Sequence, residues 1–280
     1  MHSPTFSLKL NSRTPIERGS NMQKKLIIFD IDGTLYNDEK QLPASTKEAI
    51  QTLQGEGHEI AIATGRSPFN FKDLREVLNI NTFVGFNGQY VVRDDEIVYK
   101  NPIKRDLLEQ LTVHARKHGH PLIYMDHEGW YSNVEEHAEL AEAIDSLKVN
   151  NKVGFDPSFY ENNEIYQTLL FCKNEHEASY KEAVDQLDFV RWHQYSVDVL
   201  PLGGSKAMGI ENLVNHLGVS PKHVYAFGDG LNDVEMLTYV HNSVAMGNGH
   251  DLAKKAAKFV TKDVGEDGIL HGLQLVGLLK

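Results

Sequence analysis

The chain has 280 residues, of which 41% are hydrophobic and 24% are charged, so it can bury a substantial core, and its length favours two domains over one. Its formal net charge of -11 argues against nucleic acid or an acidic membrane surface as a main partner. No apolar run approaches the roughly 18 residues that a membrane-spanning helix needs, and a single cysteine, Cys172, excludes an internal disulfide and indicates a reducing compartment, the cytoplasm.

Residues 1–21 differ in composition from the rest of the chain. They lack the apolar segment of a secretory signal, and their basic, serine-containing composition only weakly resembles a transit peptide. Gly19-Ser20 close to Met22 is typical of a cloning scar before a natural start. We therefore interpret residues 1–21 as an added leader and leave them out of the fold prediction.

Two carboxylates follow the first predicted strand. The apolar run Leu26–Phe29 is short and rich in large residues, which is typical of a buried strand. Asp30 and Asp32 come next, and side chains two residues apart share one face of an extended segment. They should project together from the strand end, although an exposed acidic turn before Gly33 is the plain alternative.

From residue 22 to residue 86 the pattern alternates between strand and helix. After the acidic turn we predict a helix over 43–53, a strand over 58–63 that ends at Thr64-Gly65-Arg66, a helix over 68–78 and a strand over 82–86. This alternation predicts a parallel sheet with right-handed crossovers.

Residues 87–189 depart from this alternation, because predicted hairpins are mixed with helices, and this pattern predicts an inserted α+β module. The predicted elements are a hairpin over 90–99, helices over 104–117, 135–147 and 175–187, and strands over 122–124, 130–132 and 164–171. Cys172 follows the last of these strands, and we interpret it as core packing.

The parallel pattern resumes in residues 190–280. The predicted elements are a strand over 197–200, a helix from Lys206, a buried strand over 223–227 before Gly228-Asp229-Gly230-Leu231-Asn232-Asp233, short strands near 244 and 260, and a terminal helix over 268–279. The sequence therefore predicts an α/β fold, with a Rossmann-like parallel sheet from 22–86 and 190–280 and the module 87–189 inserted between them.

Three of the predicted strands end in polar side chains. The residues are Asp30 and Asp32 after the first strand, Thr64 after the second, and Asp229, Asn232 and Asp233 after the strand over 223–227. Because the carboxyl ends of parallel strands lie along one edge of a sheet, where ligands bind, we expect these side chains to meet in one site.

The residue types in this site favour phosphoryl chemistry. Carboxylate oxygens without a soft ligand select a hard cation, and Mg²⁺ fits two or three carboxylates with water. Thr64, Lys206 at a helix start and main-chain amides flanked by glycine would form a phosphate cradle. A carboxylate directed at a phosphorus atom that a cation has partly neutralised is a nucleophile.

These residues resemble the four ordered motifs of the haloacid dehalogenase superfamily. The motifs are Asp30-Ile31-Asp32-Gly33-Thr34, Thr64-Gly65-Arg66, Lys206 and Gly228-Asp229-Gly230-Leu231-Asn232-Asp233. The large insert, Asn87-Gly88 and Ala245-Met246-Gly247-Asn248 are similar to the Cof-type phosphatases, which have a C2 cap of the C2B type. The resemblance covers residues 22–280, and Gly249 and Asp263-Val264 depart from the subfamily pattern without affecting the reaction.

The resemblance implies a phosphomonoester hydrolase that works through an aspartyl-phosphate. Asp30 would attack phosphorus, and Asp32 would protonate the leaving alcohol and then deprotonate water. Mg²⁺ would be held by Asp30, Asp32 and Asp229. The phosphoryl oxygens would be bound by the main-chain amide of Ile31 and by Thr64, Gly65, Lys206 and Asn232, and Asp233 would support Lys206 or the metal.

The physiological substrate, a small phosphorylated metabolite such as a sugar phosphate or a phosphorylated cofactor, is not identified by the sequence. A phosphomutase and a non-catalytic phosphate-ligand sensor remain as alternatives, whereas a phosphorelay receiver would be shorter and lack the insert. Arg66 could bind an anion or pair with an acid, and Trp130 and Tyr131 could contact substrate or pack in the core. The oligomeric state is also left open.

Overall fold

The computed structural model describes residues 24–149 and 151–280, and the predicted leader lies outside them. These residues form two β-sheets with helices packed on their faces. In chain order the strands are β1 (Leu26–Phe29), β2 (Glu59–Ala63), β3 (Thr82–Gly85), β4 (Tyr90–Arg93), β5 (Glu96–Lys100), β6 (Leu122–Met125), β7 (Trp130–Ser132), β8 (Gly154–Phe155), β9 (Gln167–Phe171), β10 (Leu187–His193), β11 (Ser196–Pro201), β12 (Val224–Gly228), β13 (Asn242–Ala245) and β14 (Phe259–Val260).

The α-helices alternate with the strands along much of the chain. In chain order they are α1 (Ala44–Gly55), α2 (Lys72–Leu78), α3 (Arg105–His118), α4 (Ala138–Ser146), α5 (Phe159–Asn162), α6 (Glu177–Ala183), α7 (Lys206–Leu217), α8 (Val234–Tyr239), α9 (Asp251–Ala256) and α10 (Gly268–Leu275). Among the helices of the described ranges, none combines the length and the apolar character that a bilayer crossing requires.

The larger sheet has the strand order β14-β13-β12-β1-β2-β3-β4-β5. The strands from β14 to β3 run parallel, and β4 and β5 close the far edge as an antiparallel hairpin. Strands covered by helices on both faces are apolar throughout, and every residue of β1 is buried. The predicted α/β fold with a parallel sheet is confirmed.

Helices cover both faces of the larger sheet. α1, α2 and α10 pack on one face with Ile27 and Phe29 of β1, and α7, α8 and α9 pack on the other with Leu26 and Ile28. Burial of an apolar side chain of this size contributes about 1.5–3 kcal/mol. These two layers hold β1 and its neighbours in place, so the residues at their carboxyl ends project from a rigid edge.

The smaller sheet has the order β10-β11-β9-β6-β7-β8 and is antiparallel except where β7 pairs with β8. Leu122 and Leu170 pack with α3 on one face. Ile123, Met125 and Leu169 on the opposite face belong to the same apolar cluster as residues of the larger sheet. The second face of the smaller sheet is therefore turned toward the larger sheet.

Two strand assignments made from the sequence were wrong. The hairpin over 90–99 was placed in the insert, but β4 pairs with β3 and extends the larger sheet. The strand over 197–200 was placed in the parallel sheet, but β11 pairs antiparallel with β10 and β9 in the smaller sheet. In both cases a tight turn connects the strand to the strand before it. Antiparallel pairing across that turn decides which sheet the strand joins, and the sequence pattern used for the assignment did not include it. The proposed module limits, 87–189, therefore do not match sheet membership.

Candidate active site

The strands β12, β1 and β2 are neighbours in the larger sheet and end at the same edge. Asp229 follows β12, Asp30 follows β1 and Thr64 follows β2. The main-chain N–H of Asp30 donates to the carbonyl of Phe227 at 2.9 Å, which extends the parallel ladder by one residue. The structure thus brings together polar residues from three strand ends, as the sequence pattern indicated.

A buried chain of charges lies at the centre of this edge. The ammonium Nζ of Lys206 donates to Oδ1 of Asp30 at 2.5 Å and to Oδ1 of Asp233 at 2.7 Å. Lys206 and Asp233 are fully buried, and Asp30 is 5% exposed. Oδ2 of Asp233 accepts from the main-chain N–H groups of Asp229 and Gly230, each at 2.9 Å. Asp233 therefore fixes both the lysine and the turn after β12.

The loop after β1 is shaped around Asp229. The hydroxyl of Thr34 donates to Oδ1 of Asp229 at 3.0 Å. Gly33 has a φ of +79°, and a Cβ at this position would lie 2.2 Å from Oδ2 of Asp229. Only glycine combines this backbone conformation with so close an approach.

Burial perturbs the acids of this edge. Burial is the main cause that raises the pKa of Asp30 well above its ordinary value; Lys206 opposes this shift, and the charges of Asp233, Asp229 and Asp32 add to it. Burial, with the charge of Asp233, also raises the pKa of Asp229 to about 6. Two neighbouring carboxyls that resist ionisation indicate a place where additional positive charge would be favourable.

The acids of this edge fit a hard cation. Asp30, Asp229 and Asp233 each offer an oxygen, and the three oxygens lie within 4.8 Å of one another. Both oxygens of Asp233 are already engaged, whereas Oδ2 of Asp30 and Oδ2 of Asp229 accept no hydrogen bond from the described residues. Oxygen ligands without sulfur or imidazole are those that Mg²⁺ prefers.

The carboxylate of Asp32 does not join this cluster. Nε and Nη2 of Arg66 donate to its two oxygens at 2.7 and 2.6 Å, and Nζ of Lys40 donates to Oδ1 at 2.6 Å. Burial alone would raise the pKa of Asp32, but hydrogen bonds and charge from Arg66 and Lys40 lower it to about 2. Arg66, for which the sequence left two interpretations open, pairs with an acid in this conformation.

The ion pair between Asp32 and Arg66 should make stability depend on pH at acid values. Because the pKa of Asp32 is lowered from 3.8 to about 2 on folding, its contribution is present above pH 3.8 and is lost as the pH falls through about 2. The Asp32 side chain is 41% exposed, so screening by solvent limits this contribution to less than about 1 kcal/mol. As the pH falls from 3.8 to about 2, the unfolding free energy of Arg66→Met should therefore decrease less than that of the wild type. Urea titration at each pH measures this difference.

An exposed arginine, Arg105, supplies the control for this measurement. Arg105→Met should retain the wild-type dependence of unfolding free energy on pH. Identical acid profiles for Arg66→Met and the wild type would contradict the assignment of the lowered pKa to Arg66.

The turn between β3 and β4 positions a further polar side chain. Phe86, Asn87 and Gly88 have positive φ values of 50°, 50° and 101°, which a bulky residue such as phenylalanine rarely adopts. A Cβ on Gly88 would lie 2.0 Å from the carbonyl oxygen of Ser205, so the turn lies directly against the start of α7. Oδ1 of Asn87 accepts from Nδ2 of Asn232 at 3.1 Å. The turn therefore connects Asn232 to the edge of β3.

The hydroxyl of Thr64 lies at the floor of the site. Thr64 is 1% exposed, and its Oγ1 accepts from the main-chain N–H of Arg66 at 3.1 Å. A Cβ on Gly65 would lie 3.0 Å from the Asn87 side chain. The sequence motif therefore forms a close turn between the cavity and the neighbouring strand.

A cavity of about 400 Å³ opens between the two sheets. The larger sheet and its loops contribute residues predicted from the sequence, including Asp30, Asp32, Thr64, Gly65 and Asn232. The smaller sheet contributes Trp130, for which the sequence left substrate contact open, and residues that the sequence analysis did not assign to the site, namely Gln167, Trp192, His193 and Asp198. An acid within the apolar run of β11 was the one signal that could have indicated Asp198.

The chain matches the family model described as haloacid dehalogenase-like hydrolase over residues 27–273. It is 45% identical over 259 residues to a Bacillus subtilis (strain 168) protein named "Putative phosphatase YkrA", with 92% of this chain and 100% of that protein covered. A solved structure of a hypothetical protein from Geobacillus kaustophilus HTA426 gives a TM-score of 0.88 at 49% identity, covering 91% of this chain and 100% of that chain. A solved sugar phosphatase of haloacid dehalogenase subclass IIB gives a TM-score of 0.80 at 30% identity, with 91% and 100% covered.

The family match includes both sheets and the acids and lysine at the edge of the larger one. The phosphatase relatives agree with the interpretation of this edge as a site for phosphoryl chemistry. The predicted membership is confirmed: the chain belongs to the haloacid dehalogenase-like hydrolase family, and it is an enzyme of the phosphatase class.

Proposed function

We propose that the chain is a Mg²⁺-dependent phosphomonoester hydrolase acting on small phosphorylated metabolites, either sugar phosphates or phosphorylated cofactors. The observation that carries the proposal is the carboxyl of Asp30, which is buried against Lys206 yet lines the cavity and keeps one oxygen without a hydrogen-bond partner among the described residues. The solved subclass IIB relative is a sugar phosphatase, which supports the substrate class.

The cation would be held by the carboxylates of Asp30 and Asp229. The main-chain carbonyl of Asp32 accepts no hydrogen bond from the described residues and is a third candidate ligand, since its carboxylate is engaged elsewhere. When bound, Mg²⁺ would partly neutralise the phosphoryl oxygens and let an anionic carboxylate approach them. Asp233, with both oxygens engaged, would instead hold Lys206.

In the first half-reaction an oxygen of Asp30 attacks phosphorus as the bond to the leaving alcohol breaks, which gives an aspartyl-phosphate. The ammonium group of Lys206 would stabilise the charge on the phosphoryl oxygens, and other groups of the site would donate further hydrogen bonds to these oxygens. Those bonds would come from the main-chain amides of Ile31 and Gly65, the hydroxyl of Thr64 and the amide of Asn232. Water then attacks the same phosphorus, releases phosphate and restores Asp30.

Asp32 would donate a proton to the leaving oxygen and later accept one from the attacking water. A carboxyl with a pKa of about 2 is a poor acid at neutral pH. We expect the anionic substrate to draw Lys40 and Arg66 away from Asp32, since both cations line the same cavity. Losing these partners would raise the pKa of Asp32 toward the range that suits proton transfer.

Asp32→Asn should lower the rates of both half-reactions by roughly 10²–10⁴-fold, because an amide can neither donate nor accept the proton. Rapid quenching would measure formation and hydrolysis of the phosphorylated enzyme with a nitrophenyl phosphate as substrate. Asp38→Asn, an exposed acid in the same loop, serves as the control. Wild-type rates for both steps in Asp32→Asn would remove the acid-base role.

Metal dependence tests the proposed function as a whole. Release of inorganic phosphate from a nitrophenyl phosphate should require added Mg²⁺, and EDTA should abolish it. Restoring Mg²⁺ should restore the rate. Full activity in EDTA would show that the acids at this edge work without a cation, and no phosphate release under any condition would reject the hydrolase proposal.

The smaller sheet would act as a cap that excludes water. Hydrolysis of a phosphate monoester can require more than about 20 kcal/mol of catalysis. Acid-base catalysis supplies about 3–5 kcal/mol and orientation about 7–11 kcal/mol. Electrostatic stabilisation must supply the remainder, and it is strongest away from bulk water.

Location in the cytoplasm stays a prediction of the sequence.

A further inference from the structure

The wall of the cavity opposite Asp30 is built from one face of the smaller sheet. Met125 of β6 is in register with Trp130 of β7 and with Gln167 of β9. Leu169 of β9 is in register with Asp198 of β11. Because side chains alternate between the faces of a strand, Gln167 and Leu169 share a face, and their cross-strand partners share it with them.

Three polar atoms in this wall have no hydrogen-bond partner among the described residues. They are Nε1 of Trp130, Nε1 of Trp192 and Oε1 of Gln167. Trp130 is 2% exposed and Gln167 is 3% exposed. Buried polar groups are nearly always paired in folded proteins, so these atoms indicate a partner that the chain itself does not supply.

Asp198 adds a carboxyl to the same wall. Within residues 24–149 and 151–280 its carboxyl forms no ion pair, and the neighbouring indole N–H of Trp192 falls outside full hydrogen-bond geometry. Burial raises the pKa of Asp198 to about 7, and the nearby indole of Trp192 partly opposes this shift. Near neutral pH the carboxyl is therefore present in both forms and can donate as well as accept a hydrogen bond.

We propose that Asp198, Gln167, Trp130 and Trp192 form the subsite for the leaving group, and that this group is a neutral polyhydroxylated one, the sugar or sugar-alcohol part of the substrate. The proposal rests on the proposed phosphatase function of the Asp30 side of the cavity. It narrows the substrate class from small phosphorylated metabolites to sugar and polyol phosphates.

The mixture of donors and acceptors favours hydroxyl groups. Indole N–H groups only donate, the oxygen of Gln167 only accepts, and the carboxyl of Asp198 can do either. A hydroxyl both donates and accepts, so several hydroxyls can pair with all four side chains. An ammonium group only donates and would leave both indoles unpaired, and a flat aromatic cofactor carries fewer such groups. Small side-chain rotations, which are common on binding, would open the shielded N–H groups to the ligand.

The test compares substrates within each variant. The full chain with Mg²⁺ is assayed for phosphate release from ribose phosphate, glucose phosphate and glycerol phosphate, and from a nitrophenyl phosphate, phosphoethanolamine and pyridoxal phosphate. The measured quantity is the ratio of kcat/KM for the best polyol phosphate to that for the nitrophenyl phosphate. Dividing by the aryl substrate removes any change that affects the phosphoryl chemistry itself.

Asp198→Leu should lower this ratio roughly 10- to 100-fold, because it leaves the substrate hydroxyls without the carboxyl as a hydrogen-bond partner. Gln167→Met, which keeps the side-chain length and removes the amide, should lower the ratio in the same direction and serves if the first variant does not fold. Asp106→Leu, at an exposed position on α3, should leave the ratio unchanged.

An unchanged ratio in both wall variants would overturn the subsite while the phosphatase proposal stands. A wild-type preference for phosphoethanolamine or pyridoxal phosphate over every polyol phosphate would overturn the substrate class. If the wild type hydrolyses none of the compounds, including the nitrophenyl phosphate, then the proposed function fails and the subsite fails with it.

Discussion

Asp30→Asn is expected to lower kcat for a nitrophenyl phosphate by more than about 10⁴-fold, since the amide cannot form the phosphorylated intermediate. The fold should survive, because the amide has the same shape and removes a charge that burial already disfavours. Lys206 would keep its second partner, Asp233, at 2.7 Å. The unfolding free energy should therefore change by only about 1 kcal/mol. Phosphate release and urea unfolding measure the two effects separately.

The control for this variant is Asp106→Asn, an exposed acid that does not line the cavity. It should keep wild-type turnover and wild-type unfolding. Acid quenching of the wild type during turnover should trap phosphate on the protein, and the Asp30→Asn variant should trap none. Turnover near the wild-type rate in Asp30→Asn would end the assignment of Asp30 as the nucleophile.

Lys206→Met is expected to abolish turnover and also to destabilise the fold by roughly 3–5 kcal/mol. The ammonium group is fully buried and bridges the carboxyls of Asp30 and Asp233. Burial by itself lowers the pKa of Lys206, but the two neighbouring acids more than compensate and raise it. Removing the lysine leaves two buried acids without a counter-charge, and an uncompensated buried charge strongly lowers the unfolding free energy. Urea unfolding at neutral pH measures the loss.

A double variant separates the loss of charge from the loss of packing. Asp233→Asn in the Lys206→Met background removes one uncompensated acid and should restore more than about half of the lost unfolding free energy. The same change in the wild type should destabilise, because Lys206 then loses a partner and the turn after β12 loses charge on its acceptor. Strictly additive effects of the two substitutions would mean that the buried charges do not interact.

The polar residues at the strand ends of the larger sheet could be predicted from the sequence because their positions follow from local rules. Asp30, Thr64 and Asp229 each stand one residue after a short apolar run, and parallel strands bring such positions to one edge. Lys206 could be predicted to begin a helix, but its place beside these acids was implied by the resemblance to the haloacid dehalogenase motifs. The residues at the strand ends therefore followed from the strand pattern, whereas the place of Lys206 depended on the family resemblance.

The opposite wall could not be predicted in the same way. Asp198 was assigned to the parallel sheet because β11 reads as an apolar run, and only pairing with β9 and β10 places it across the cavity. The pairing of Arg66 with Asp32 depends on how two loops meet, which strand and helix patterns do not encode. Sequence patterns missed the features that depend on how two loops meet or on how the two sheets face each other.

The turn at 86–88 bears on how this enzyme could be engineered. Left-handed backbone at a phenylalanine costs of order 1–3 kcal/mol, and the Phe86 ring is fully buried and stacked on Tyr166 at 5.6 Å. A search for thermostable variants would tend to relax this bend, and the side chain of Asn87 would then lose its fixed place beside Asn232. Thermal stability and the exact placement of Asn87 are therefore opposed at this turn. Thermostable variants obtained by changing these residues should turn over more slowly.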